Sequence, residues 1–259
     1  MKDKGKDQIS TENELLNYQG EDKVITSYEL KTQIEKSGQT KEVKVVSGIK
    51  SLDTLVDGFV GGELIALSGL TGNGKTLLLK TLTYNFAEQE KIVLWLSYEE
   101  TPYQFLKSFS SLPFFYIPQR MEPGILWWVE KRILEAKLKY NARIVMIDHI
   151  HYIVDLAQMK HPSWEVGIVI RQIKSMAVKY NMIIFLIAHN TKMKRGEKPS
   201  IDSIRDSSFI GQEASTVLTI WRVAQHNEAR LSIEKARRTG TFKEIIKLVK
   251  KDGLLEEIP

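Results

Sequence analysis

Gly69-Leu70-Thr71-Gly72-Asn73-Gly74-Lys75-Thr76 fits the phosphate-loop pattern G-x-x-x-x-G-K-[ST] at every fixed position. In such a loop successive backbone N–H groups wrap phosphate oxygens, and glycines let the chain pass tightly around them. Gly69, Thr71, Gly72, Asn73 and Gly74 are therefore expected to cradle a nucleotide's phosphates. Lys75 should reach the β and γ phosphates, Thr76 should place its hydroxyl on Mg²⁺, and the helix that starts here adds its positive N-terminal end. The flanks supply the context the pattern needs. Glu63-Leu64-Ile65-Ala66-Leu67-Ser68 reads as a buried parallel strand, and residues 77–86 have helical apolar spacing. Strand, glycine loop, helix is the required order, and a chance glycine turn would not need it. The cofactors expected are ATP or another NTP, with Mg²⁺.

Working outward, Lys91-Ile92-Val93-Leu94-Trp95-Leu96-Ser97 is a second strand, followed by the acidic pair Glu99 and Glu100. Carboxylates at the carboxyl end of a parallel strand lie where ligands bind in such sheets. One could act as a base while the other caps the helix beginning at Thr101-Pro102. Residues 102–112 and 124–140 read as helices, with Trp127 and Trp128 assigned to the core. Arg143-Ile144-Val145-Met146-Ile147-Asp148 is an apolar strand closing on an aspartate, the form that delivers a carboxylate beside Mg²⁺. A helix over 164–180 leads to a strand over 182–188 that ends at His189-Asn190, where a donor to the γ-phosphate would sit. His149 and His151 are two residues apart with no convincing third ligand, so zinc is not expected. Lys192, Lys194, Arg195 and Lys198 crowd a polar stretch that can line a phosphate-backbone groove or simply be solvated. Residues 217–221, 229–234 and 244–249 alternate as closing strands, with Lys251-Asp252-Gly253 as a hairpin turn.

Composition bounds the rest. A chain of 259 residues with 42% hydrophobic content suits one large α/β domain with a short appendage. No apolar run approaches roughly 18 residues and no charged-then-apolar leader opens the chain, so no membrane partner and a soluble, intracellular protein are expected. The absence of cysteine excludes disulfides and thiolate metal sites. A net charge of +5 fits nucleic-acid contact without demanding it. Residues 1–44 read as a flexible tail plus a short amphipathic helix over 28–36, capped by Ser27 and ended near Gly38.

Taken together, these residues resemble the RecA-type motor domain of DnaB-family replicative helicases, with motifs closest to phage and mitochondrial ring helicases. The likeness spans about residues 46–258. It is carried by Gly48-Ile49-Lys50-Ser51-Leu52-Asp53, the phosphate loop, Ser97-Tyr98-Glu99-Glu100, Ile147-Asp148, Ile187-Ala188-His189-Asn190, Ser203-Ile204-Arg205-Asp206-Ser207 and Lys235-Ala236-Arg237-Arg238-Thr239-Gly240. The resemblance implies a RecA-like α/β core over 45–259, with a mostly parallel central sheet flanked by helices and C-terminal antiparallel strands. It implies that Glu99 polarises the attacking water, Asp148 supports Mg²⁺ and His189 senses the γ-phosphate. Lys235 and Arg237 match a basic pair inserted into a neighbouring subunit's site, Arg237 being the arginine finger. The implied assembly is a homo-oligomer, a hexameric ring around single-stranded DNA, with a separate primase or loader as further partner. Residues 155–163 and 192–208 occupy the DNA-holding loops, with Lys192, Lys194 and Arg195 as contacts, and the 28–36 helix resembles the linker that docks on the adjacent subunit. The family's usual N-terminal collar or primase domain has no counterpart in the roughly 45 residues that precede the motor.

Two other functions fit a RecA-type core: a recombination ATPase that forms filaments on DNA without unwinding it, and a nucleotide-switched assembly protein with no nucleic-acid role.

Overall fold

The computed structural model describes residues 12, 14–20, 23–36, 43–153, 162–190, 198–204, 207–223 and 227–258. Residues 1–42 and 43–259 form separate compact units. In the first, helix α1 (Ser27–Lys36) buries no residue, leaving Tyr28, Leu30 and Ile34 exposed. Its cap is Thr26, not Ser27. The Thr26 hydroxyl accepts from the Glu29 N–H at 3.1 Å and Glu29 accepts from the Thr26 N–H at 2.9 Å, a reciprocal capping box. Residues 1–11, most of the expected tail, and Gly38 lie outside the described residues.

The second unit is built on one eight-stranded sheet. Strands β3 (Leu64–Gly69), β4 (Val93–Ser97), β5 (Ile144–Asp148), β6 (Ile183–His189) and β7 (Thr216–Arg222) run parallel in the order β7-β3-β6-β5-β4. Strands β8 (Glu228–Ala236), β9 (Glu244–Lys251) and β10 (Leu254–Glu257) extend it antiparallel beyond β7. A separate small sheet pairs β1 (Lys44–Val45) with β2 (Phe59–Val60), on either side of helix α2 (Lys50–Val56).

The parallel strands read as nearly unbroken Val, Ile and Leu because both faces are covered. Alternation sorts them into two cores. Ile65, Leu67, Met146, Phe185 and Ile187 pack on one face with helix α3 (Lys75–Glu88), through Leu78, Leu79, Leu82 and Phe86. Leu64, Ala66, Val145, Ile147 and Leu186 pack on the other with helices α5 (Leu126–Tyr140) and α6 (Pro162–Tyr180). Transfer of a fully buried side chain such as Leu82 or Phe86 contributes roughly 1.5–3 kcal/mol, so the two clusters fix the strand ends that carry the chemistry.

The first closing strand, β7, is parallel to β3, and the C-terminal strands β8 to β10 are antiparallel, as the resemblance implies. The structure departs from the sequence reading in several places. Helix α4 (Pro102–Lys107) stops before the serine-rich stretch rather than reaching 112. Its cap is Thr101 in a box with Gln104, so neither Glu99 nor Glu100 caps it. Trp128 is buried as expected but Trp127, one residue away and about 100° round the helix, is 58% exposed with Lys131 over its ring. The turn at Asp252-Gly253 does close a hairpin, both residues having positive φ as a two-residue type I′ turn requires.

Candidate nucleotide-hydrolysis site

The phosphate loop leaves β3 at the centre of the sheet and enters α3 through Gly74, which adopts φ +96 at the helix N-cap. Gly69 is required for a different reason: a Cβ there would meet the Ile220 carbonyl oxygen of neighbouring β7 at 2.3 Å. Lys75 is buried and donates to the Gly69 and Leu70 carbonyls at 2.9 and 3.1 Å, holding its ammonium across the loop. Burial depresses its pKa, and Asp148 and Glu99 oppose that effect.

Asp148 ends β5 and accepts a 2.7 Å hydrogen bond from the Thr76 hydroxyl. The two halves of the expected Mg²⁺ site thus meet across 72 residues of sequence. Burial pushes the Asp148 carboxyl up to about 6, and Glu99 adds to this, while the Thr76 bond, Lys75 and Lys80 pull the other way. A cavity of about 320 Å³ opens at the loop, lined by Thr71–Leu77, Glu99 and His189 and also by Arg222, Asn227 and Lys250. Glu100 does not line this cavity. Its charge acts on buried Lys80, whose ammonium also lies over the Phe105 and Phe109 rings.

His189 pairs in register with Gly69, so the end of β6 stands beside the start of the phosphate loop. Asn190 then ties this strand end to its surroundings, bonding Ser68 on β3 and donating to the Ser203 hydroxyl at 2.8 Å. His149 follows Asp148 and packs edge-to-face on His189 with ring centroids 4.0 Å apart. Burial, followed by the charges of His189, His151 and Lys75, pushes its pKa down to about 3, so the ring is neutral. A nitrogen of each of these two histidines and a carboxylate oxygen of Glu99 all lie within 4.8 Å of one another. Sequence reasoning sought a third partner for His149 and His151 and missed this one, which comes from a different strand end.

Lys235 and Arg237 stand at the other end of the sheet. Lys235 donates to the Gly211 and Ala214 carbonyls at 2.5 and 3.1 Å, and Arg237 to the Gln212 carbonyl at 2.5 Å, around the end of helix α7 (Ser207–Glu213). Ala236 pairs with Thr216, the first residue of β7, whereas Arg222, its last, reaches the cavity. At about 3.3 Å per residue, the length of β7 separates the basic pair from its own phosphate loop by roughly 20 Å. Arg238 is committed elsewhere, donating to the Val56, Asp57 and Gly58 carbonyls at 2.7, 2.9 and 2.6 Å and pairing with Asp57. Lys192, Lys194 and Arg195 lie outside the described residues, as do residues 155–161 and Arg205.

Arg222, Asn227 and Lys250 were not singled out from the sequence. The available signal was the Arg that closes the apolar run Thr216-Val217-Leu218-Thr219-Ile220-Trp221, a strand whose direction the sequence left open.

Comparison with known proteins agrees with this architecture. Residues 45–114 match the ATPase family described as KaiC. A probable replicative DNA helicase of Trieres chinensis is 24% identical over an alignment of 267 residues, covering 86% of this chain and 57% of that protein. The replicative DNA helicase DnaB of Treponema pallidum is 23% identical over 235, covering 77% and 52%. The chain thus spans little more than half the length of these relatives. Among solved structures, an ATPase domain superposes with a TM-score of 0.74 at 16% identity, over 90% of this chain and 98% of that one. A DnaB-like replicative helicase, solved in work on its interactions with primase, gives 0.75 at 16% identity, over 98% and 72%. Residues 118–253, which carry Asp148, His189 and Arg237, match the family described as DnaB-like helicase C terminal domain. The chain belongs to that DnaB-like helicase family.

Proposed function

We propose that this chain is an ATP-driven motor that moves along single-stranded DNA and unwinds duplex, working as a ring of identical copies. The observation that carries the reading is the 2.7 Å contact of Asp148 with Thr76, a residue that lines the same cavity as Glu99 and His189. Phosphoryl transfer asks a protein mainly for positioning and for charge where charge develops. The loop N–H groups bind the phosphates, and Lys75 exchanges two carbonyl partners for phosphate oxygens. Glu99, exposed at the cavity and two residues past Ser97, orients and deprotonates the attacking water. His189 donates to the γ-phosphate. The hard oxygens of Thr76 and Asp148 fit Mg²⁺, which when bound supplies charge neutralisation for the phosphates. Arg222, Asn227 and Lys250 face the base and sugar.

Lys235 and Arg237, roughly 20 Å from their own cavity, serve the cavity of a neighbouring copy. Residues 1–44 form a tail and linker helix that joins adjacent copies, and 45–259 form the motor, with Lys192, Lys194 and Arg195 gripping the DNA backbone. Relatives of similar sequence are named replicative helicases, and one similar structure was described with primase, which supports a primase or loader as further partner. The test is strand displacement on forked DNA with ATP, beside ATPase with and without single strands. DNA-stimulated hydrolysis with unwinding is expected. Open filaments without unwinding would favour a recombination ATPase, and hydrolysis indifferent to DNA, with no salt-sensitive DNA binding, would favour an assembly switch.

A further inference from the structure

His149 has no part in the reading above, yet it is 8% exposed and sits where three strand ends converge. Its Nδ1 accepts the His151 backbone N–H at 3.3 Å, so the ring caps the 3₁₀ turn Ile150–Tyr152. An imidazole nitrogen that accepts a hydrogen bond carries no proton, which leaves the ring's single N–H on Nε2. The remaining polar group of His149 is therefore a donor. Two acceptors, a Glu99 carboxylate oxygen and a ring nitrogen of His189, lie within 4.8 Å of one nitrogen of the His149 ring. A metal ion would need from His149 a lone pair that the cap already uses, so the same geometry disfavours a cation there and leaves the ring an N–H to donate. Aromatic packing holds the ring: Tyr152 lies 4.7 Å from it, Tyr98 stacks on Tyr152 and Trp128 meets Tyr98 edge-on.

We propose that His149 is a positioning residue for hydrolysis, a clamped Nε2–H donor that holds His189 and Glu99 in their working orientations. The proposal rests on the roles given to those two residues under the motor reading. It does not require His149 to touch nucleotide.

Two substitutions separate the cap from the donor. In His149→Asn the side-chain oxygen can still accept from the His151 N–H, but nothing reaches as far as Nε2. In His149→Gln the amide N–H reaches toward the Nε2 position while the short-range cap is lost. With the full chain, His149→Asn should melt within a few degrees of wild type and bind a fluorescent ATP analogue within about twofold. Its kcat should fall about 10- to 100-fold with KM little changed, the range seen when partners that orient functional groups are removed. His149→Gln should recover several-fold over Asn. An Asn variant that turns over like wild type would reduce His149 to a cap, and equal loss in both variants would remove the donor role. Imidazole ¹⁵N spectra of the wild type give an answer independent of activity: an Nε2–H tautomer is expected, and an Nδ1–H tautomer or an imidazolium at pH 7.5 overturns the proposal. Absence of any ATPase in wild type would instead defeat the motor reading, leaving the spectra to judge the geometry.

Discussion

Removing the charge of Asp148 should stabilise the nucleotide-free protein, and by an amount that depends on pH. Burial raises this carboxyl from the ordinary 3.8 to about 6, so at about 1.4 kcal/mol per tenfold the ionised form costs the fold about 3 kcal/mol above pH 6. Between these two values the folded state holds the proton more tightly than the unfolded chain, so stability contributed at this position falls as pH rises from 3.8 through 6 and is level beyond. Asp148→Asn preserves an acceptor for the Thr76 hydroxyl and removes the charge. The value of about 6 already includes the attraction of Lys75, so losing that partner is no separate offset, and any effect of the amide on packing is the same at both ends of the pH range. The pH difference is therefore the cleaner quantity. Roughly half of the 3 kcal/mol persists at pH 5, so the variant's advantage at pH 8 should exceed that at pH 5 by about 1 to 2 kcal/mol, or a few degrees in Tm. Paired thermal melts of wild type and variant at pH 5 and 8, without nucleotide or divalent ions, measure it directly. With Mg²⁺ and ADP the order should reverse, because ligand binding to the native state stabilises wild type and the variant has lost a metal-binding oxygen. An advantage that is constant with pH, or larger at pH 5, would refute the assignment of Asp148 as a buried and electrostatically costly carboxylate.

Glu99→Gln should keep nucleotide binding and lose hydrolysis, whereas Glu100→Gln should retain turnover; the opposite pattern in single-turnover assays would mean the wrong member of the pair was chosen. Arg222→Ala should raise KM several-fold with kcat little changed, since a planar guanidinium over a base contributes about 0.5–2 kcal/mol to binding and little to the chemical step. Replacing Lys192, Lys194 and Arg195 by Ala should flatten the salt dependence of single-strand binding by about 0.7 per lost phosphate contact, and an unchanged slope would move the DNA elsewhere. Arg237→Ala and Glu99→Gln should each be nearly inactive, a finger being worth about 10³ to 10⁵ in rate, while a mixture of the two, once subunit exchange is verified, should regain hydrolysis. A mixture that exchanges and stays inactive would count against the shared site.

What was legible in the sequence is what the chemistry leaves no freedom to vary. A loop that must lie against phosphate admits glycine where a Cβ would strike the Ile220 carbonyl, and a strand buried on both faces spells itself as an apolar run. Asp148 announced itself by ending such a run. Strand direction has no such signature, because alternation is the same whichever way the chain runs. The direction of β7 was therefore open, and with it the placement of Arg222 on the cavity. Trp127 and Trp128 were both given to the core although adjacent helical residues point about 100° apart, and the T-x-x-E spacing at 26–29 could have moved the cap from Ser27 to Thr26. The Glu99, His149 and His189 cluster lay beyond sequence reading. Its members stand at or just past the ends of separate strands, about 40 to 50 residues apart, and the order β4-β5-β6 brings them together.

The position of Arg237 carries a consequence for assembly. Its own cavity lies at the carboxyl ends of the parallel strands and the arginine at the opposite end of β7, with the sheet between them, so no side-chain rotation brings the two together. Under the motor reading the acceptor surface and the donor surface are then different patches of one chain, and contact between copies is head-to-tail rather than two-fold. An open row of copies always leaves one cavity without a finger and one finger without a cavity. A closed ring leaves neither, so turnover per chain should rise with protein concentration as copies associate and should level off on closure. The same asymmetry is the reason the mixed-variant experiment should restore hydrolysis: an Arg237→Ala copy impairs its neighbour's cavity while its own stays sound, and a Glu99→Gln copy impairs its own while its finger stays sound. One of the two kinds of mixed contact pairs a sound cavity with a sound finger, and hydrolysis can return only there.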